Sequence, residues 1–100
     1  MGRRAARIDD NQTEIVRAFV ELGYSVAVTS DQGSGFPDIV VGKFKRNYLI
    51  EIKDGSKPLS RRKLTAYQQK FRDGWAGQYS VIESIDDVVA FDLSVCSIED

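Results

Sequence analysis

The stretch GFPDIVVGKFKRNYLIEIKDG, residues 35–55, reads as two apolar strands around a basic turn, with Asp38 at one end and Glu51 and Lys53 at the other. Side chains alternate along a strand, so Tyr48, Ile50 and Ile52 share one face while Leu49, Glu51 and Lys53 share the other. With FKRN as a four-residue turn, Lys43 pairs with Tyr48, and the antiparallel ladder sets Asp38 opposite Lys53 and diagonal to Glu51. Two carboxylates this close repel, and each is costly to desolvate, so the cluster calls for compensating positive charge. Lys53 supplies one charge and a bound divalent ion would supply the rest. Such a set suits metal-assisted phosphodiester cleavage. Two carboxylates hold Mg²⁺ or Mn²⁺ with open positions, the ion polarises the phosphate and lowers the pKa of its water, and a neighbouring lysine orients or deprotonates that water. The competing reading is a surface hairpin with a cross-strand salt bridge of little energetic weight.

Composition narrows the chemistry further. The chain has 100 residues, no histidine and a single cysteine, which fits one domain that buries roughly two thirds of its unfolded surface. Without histidine, Ser-His-Asp and Cys-His nucleophilic catalysis and the usual zinc ligand sets are excluded. Catalysis must then rest on carboxylates, Lys, Tyr or Ser around a hard metal. No run of about 18 apolar residues is present, and MGRRAARIDDNQ lacks the apolar stretch of a signal peptide, so a cytoplasmic, nucleoid-associated setting without membrane insertion is expected. The net charge of −1 hides a segregation: residues 1–72 hold all 14 Lys and Arg against 8 acids, and residues 73–100 hold 7 acids and no base. This split suits a basic face for nucleic acid with an acidic face kept away from it, unless folding mixes the charges back together.

Periodicity places the elements that must position the charges. NQTEIVRAFVEL predicts a helix burying Ile15, Val16, Phe19, Val20 and Leu22, stopped by Gly23. YSVAVT, DIVVGKF, NYLIEIKD and YSVIE predict strands. Thr65 and Gln68 form a capping box that opens a helix through about Arg72, ended by Gly74, and Ser84 caps a last helix with Ile85, Val88, Val89 and Leu93 facing inward. The order α-β-β-β-α-β-α predicts an α/β domain with a mixed central sheet flanked by helices. Residues 1–10 are set aside as a basic arm that either clamps DNA or is disordered. Gln68 falls in the apolar stripe of Leu64, Phe71 and Trp75, where an amide without a partner would be costly. It therefore joins the candidate catalytic residues, although capping the Thr65 amide also accounts for it. Gln69 points to solvent. Tyr24, Tyr48, Tyr67 and Tyr79 are expected in the core or sheet rather than as stacking platforms.

GFPDIVV followed by YLIEIKDG resembles the PD-(D/E)xK nuclease signature, and the spacing through KLTAYQQKFRDGW and GQYSVIESIDDVVAF is similar to the VRR-NUC branch of that superfamily, over Glu14 to about Phe91. The resemblance implies a restriction-endonuclease-like fold and a metal-dependent nuclease, with Asp38 and Glu51 as metal ligands and Lys53 as the catalytic lysine. It also implies that Glu14, the acid of the first helix, binds the metal directly or through water; Asn11-x-x-Glu14 reads equally as a capping box. Two departures stand out: Ala66 where a proline often follows the helix cap, and a shortened QGSGF approach to the Pro-Asp turn.

Two basic groups could reach phosphates: Lys43, Lys45 and Arg46 in the hairpin turn, and Lys57, Arg61, Arg62 and Lys63 after the catalytic strand. The expected substrate is DNA. By resemblance to small stand-alone members of the family it is branched DNA such as a four-way junction, cut by a homodimer with Phe71, Trp75 and the last helix as apolar interface material. Nicking or end-processing without junction preference, and a non-catalytic DNA-binding module, are the alternatives. No small-molecule cofactor is expected.

Overall fold

A computed structural model describes residues 9–99. Three helices surround one four-stranded mixed sheet: α1 (Gln12–Glu21), β1 (Ser25–Val28), β2 (Ile39–Lys43), β3 (Arg46–Ile52), α2 (Ala66–Gly74), β4 (Tyr79–Ile82) and α3 (Ile85–Glu99), with a short 3-10 turn at Leu59–Arg61. The sheet order is β1-β2-β3-β4; β1, β2 and β3 are antiparallel neighbours, and β4 runs parallel to β3. The crossover from β3 to β4 carries α2, as a parallel connection requires. No helix among the described residues is long and apolar enough to cross a membrane.

Alternation along β3 divides the sheet into two unlike faces. Tyr48, Ile50 and Ile52 join Ile39, Val41 and Ile82 in a core closed by Ile15 and Phe19 of α1 and Val88 and Val95 of α3. The opposite face carries Glu51 and Lys53 and is covered in part by α2, whose Phe71 contacts Phe36, Trp75 and Tyr79. No residue of α2 is fully buried. The two-face assignment read from the sequence therefore holds, but several inward placements do not. Val20 is 54% exposed, and on α3 Val89 and Leu93 are 46% and 67% exposed, because Val88 and Val95 carry the buried face of that helix. Ile85 is also exposed, as is Tyr67 of α2.

The hairpin register differs from expectation. Lys43 pairs with Arg46, not Tyr48, so the connection is a two-residue turn of Phe44 and Lys45, with φ of 56° and 63°. Positive φ at both central positions is the type I′ pattern, whose twist matches the flanking strands. A shift of two residues preserves which face each side chain takes, so the charges remain together. What changes is the neighbour of Asp38: beyond the last ladder pair, Ile39 with Ile50, it lies beside Glu51 rather than opposite Lys53.

Candidate active site

Asp38 sits where β2 leaves the ladder. Its N–H donates to the Ile50 carbonyl at 3.0 Å, and its Oδ2 accepts the Ile52 N–H at 2.8 Å. The carboxylate thus stands in for a strand carbonyl and is fixed against β3. Glu51 is held in the centre of the sheet and is 1% exposed. Its Oε2 accepts from Gln68 Nε2 at 3.0 Å and lies 3.9 Å from Lys53 Nζ. Its Oε1, also buried, meets no hydrogen-bond donor among the described residues. Gln68 links the set, since its Oε1 accepts from Lys53 Nζ at 2.7 Å and from the Thr65 N–H at 2.9 Å. The Thr65–Gln68 capping box is complete, so one amide closes the helix N-terminus and orients both the acid and the lysine.

The electrostatics follow from this packing. Burial, then the charge of the adjacent Asp38, push the Glu51 carboxyl up to about 9, with Lys53 offsetting part of the rise. Burial raises Asp38 as well, against the opposing Ile52 N–H, Glu51 and Lys53. Such a pair holds one shared proton or accepts a cation between its members. The Tyr79 phenol, its oxygen buried and without a hydrogen-bond partner among the described residues, is pushed up to about 12 by burial and then by Glu51.

Asp38, Glu51, Lys53 and Gln68 line one cavity of about 350 Å³, together with Asp9, Lys57, Arg61 and Lys63. Among the described residues no group of three or more His, Cys, Asp or Glu side chains is arranged to hold a metal ion. The residues present nevertheless fit a hard divalent cation of the Mg²⁺ type, which commonly takes one or two protein carboxylates and completes its shell with water and phosphate oxygens. The donorless Oε1 of Glu51 beside a second carboxylate is the observation that makes this fit.

Glu14 is not brought to this set. It is exposed and lines a neighbouring cavity of about 480 Å³ with Asp10, Asp54 and Glu83. Nor does it form a capping box: the N-cap Asn11 makes no side-chain cap bond, and its Nδ2 donates instead to the Lys53 and Glu83 carbonyls, each at 3.1 Å. Asn11 thereby pins the ends of β3 and β4 together. The acid that approaches the site from the start of α1 is Asp9, whose charge raises Glu51 further. Asp9 and Asp10 therefore belong to the folded domain rather than to a basic arm; the remainder of that arm, 1–8, lies outside the described residues. The signal for Asp9 was the acidic pair directly ahead of the Asn11 cap.

The basic residues separate by position. Lys57 lines the cavity while paired with Asp10 at 3.1 Å, and Arg61 and Lys63 line it as exposed side chains. Arg62 turns away to Glu83 at 3.1 Å. Lys43 is withdrawn from any phosphate-binding role: its Nζ donates to the Leu22 carbonyl at 2.7 Å and to Asp92 at 2.9 Å, and lies over the Tyr24 ring. Lys45 and Arg46 are exposed at the hairpin tip, at the other end of β3 from Glu51. The pairs Lys43–Asp92 and Arg62–Glu83 also show folding partly remixing the charges segregated along the chain.

No protein-family model, curated protein or solved structure matches the chain.

Proposed function

We propose that this protein is a Mg²⁺- or Mn²⁺-dependent nuclease that hydrolyses DNA phosphodiester bonds on a restriction-endonuclease-like α/β scaffold of the VRR-NUC type. The observation that carries the reading is Glu51: a carboxyl group 1% exposed, beside Asp38, with one oxygen that meets no donor among the described residues. A structural role does not account for that expense, since an apolar residue in a central strand would be cheaper. Asp38 and Glu51 would hold a divalent ion, which would supply Lewis-acid polarisation of the phosphate and a more acidic water. Asp38 and Glu51 are fixed by the Ile52 N–H and by Gln68, so neither must reorganise to receive charge. Lys53, oriented by Gln68, stands beside the position where a water would attack phosphorus and the leaving oxygen depart. Arg61 and Lys63 receive the flanking phosphates at the cavity rim. The Asp9 carboxylate at the same rim favours a substrate that arrives with cations.

The protein acts in this reading as a homodimer on branched DNA, four-way junctions first. One cleft per chain and the two symmetric scissile phosphates of a junction match a closed two-fold pair. Exposed Trp75 on the α2 side and Val89 and Leu93 on α3 supply apolar surface for the contact. The test is cleavage of end-labelled junction, flap and linear duplex of the same arm sequences, with Mg²⁺, Mn²⁺ or chelator. Metal-dependent cutting, fastest on the junction, is the expected result. Equal rates on all three would remove the junction preference, and no cutting of any of them with either metal would remove the nuclease.

A further inference from the structure

We infer that the tip of the β2–β3 hairpin is a second nucleic-acid subsite, in which Phe44 stacks on an unpaired base while Lys45 and Arg46 receive the adjoining phosphates. This rests on the DNA substrate proposed above and extends it to a part of the chain distant from the catalytic residues.

The first observation is a local conflict between sequence and conformation. A type I′ turn selects Asn-Gly or Asp-Gly because both central residues take positive φ. Here those positions are Phe44 at 56° and Lys45 at 63°. A bulky side chain in the left-handed region is a genuine outlier, and strain of this kind concentrates at functional positions. The aromatic ring is not repaid by burial, since Phe44 is 46% exposed. Lys43 Nζ lies 5.4 Å from the ring centroid but is already committed to Asp92 and the Leu22 carbonyl.

The second observation is the ground beside the ring. Phe44 and Arg46 border a groove of about 550 Å³ whose other walls include Gly23, Ser25, Gly42 and Asn47. Ser25, Gly42 and Asn47 are cross-strand partners in one row, so small side chains leave room and Asn47 adds an amide that can hydrogen-bond a base edge. Groove volumes in this range accept small planar ligands. By alternation along β3, Asn47 shares its face with Leu49, Glu51 and Lys53. That wall of the groove lies on the face of the catalytic cavity, while Arg46 alternates to the face of Tyr48, Ile50 and Ile52. Asn47 and Glu51, on the same face, are four residues apart on one strand, about 14 Å, which corresponds to about four nucleotides at the 3.4 Å spacing of a stacked strand. An aromatic platform flanked by cations is the ordinary means of holding unpaired bases without regard to sequence, and gapped and flapped DNA present such bases beside a duplex.

The experiment uses the full chain in chelator, so that no strand is cut, and gapped and flapped oligonucleotides with 2-aminopurine at successive unpaired positions. Wild type is expected to change the fluorescence at one position on binding. Phe44→Trp should retain that change. Phe44→Asn should abolish it and weaken binding about tenfold, the order of one lost stacking contact, while melting at or above the wild-type temperature because Asn suits positive φ. Phe44→Asn that binds and reports as wild type would overturn the inference. So would a clear drop in its melting temperature, which would make Phe44 a structural cover for Lys43. The two readings separate: DNA bound with the 2-aminopurine response but never cut with metal would remove the nuclease and leave this subsite. Metal-dependent cleavage by a chain indifferent to Phe44 substitution would do the reverse.

Discussion

Glu51 is held at the centre of a sheet where water does not compensate its charge, and the cost has a definite pH signature. Its carboxyl is raised from an ordinary 4.5 to about 9, first by burial and then by Asp38. Between those values the unfolded chain is ionised at this position and the metal-free native protein retains the proton. The stability associated with Glu51 is therefore complete below about pH 4.5 and is lost as pH rises toward 9, at up to about 1.4 kcal/mol per pH unit. Glu51→Gln removes the titration. In chelator the variant should melt above wild type at pH 8, with a gap that widens between pH 5 and 9 and narrows when Mn²⁺ is added, because a cation that binds only the native state stabilises only a chain able to hold it. Parallel melting curves across that range would show that Glu51 titrates normally and is not poised for a cation. The triad of Asp38, Glu51 and Lys53 was legible in the sequence because residue type and period-two alternation suffice to bring the charges to one face. Asp9 was not, since an acid ahead of a helix cap has no periodicity to place it, and Glu14 offered the same chemistry on a helix whose rotation only packing fixes.

At the scale of elements, the site depends on how closely α2 approaches the Pro-Asp loop. Gly35 has φ +81°, and a Cβ there would collide with the Tyr67 carbonyl and come within 2.9 Å of the Gln68 nitrogen. The backbone of the loop thus packs against the first turn of α2, which is what brings Gln68 to both Glu51 and Lys53. Gly35→Ala should push α2 outward, break the Gln68 bonds to Glu51 and Lys53, and lower cleavage by at least tenfold, the scale on which lost supporting contacts weaken metal sites. Because no α2 residue is fully buried, the fold should survive with a lower melting temperature. A crystal structure or amide chemical shifts of Gly35→Ala with Gln68 undisturbed would refute this account of α2. The strands, the Thr65 cap and the Ser84 cap were readable because turn residues and capping pairs are local signals; Ser84 Oγ accepts the Asp87 N–H at 3.2 Å. The hairpin register was misread for a physical reason: neither Phe44 nor Lys45 advertises a type I′ turn, so a longer turn appeared necessary. The rotation of α3 was misread because Ile85, Val88, Val89, Leu93 and Val95 are apolar around much of the helix, and only the sheet decides which of them is covered.

Over the whole molecule, folding turns a lengthwise charge asymmetry into a selective rim. Arg61 and Lys63 border the cavity as exposed side chains, whereas Arg62 is paired with Glu83 and Lys43 with Asp92. If the rim holds phosphates, DNA affinity should fall steeply with salt and largely without regard to sequence. An Arg61→Ala/Lys63→Ala chain should lower the slope of log affinity against log salt by about two, while Arg62→Ala should change it far less. Equal effects from Arg62 and from its neighbours would mean that the observed pairing does not govern binding. Light scattering tests the two-fold pair: a dimer at micromolar concentration is expected, and a monomer would remove the dimeric reading without touching the chemistry. The most direct test of that chemistry is Mg²⁺-dependent cleavage of one labelled four-way junction by wild type and Glu51→Gln, purified in parallel and compared at equal concentration. The account predicts cutting by wild type that chelator abolishes and a loss of at least a hundredfold in Glu51→Gln despite its intact fold. Comparable rates for the two proteins would contradict it, because the buried acid would then have no part in the reaction.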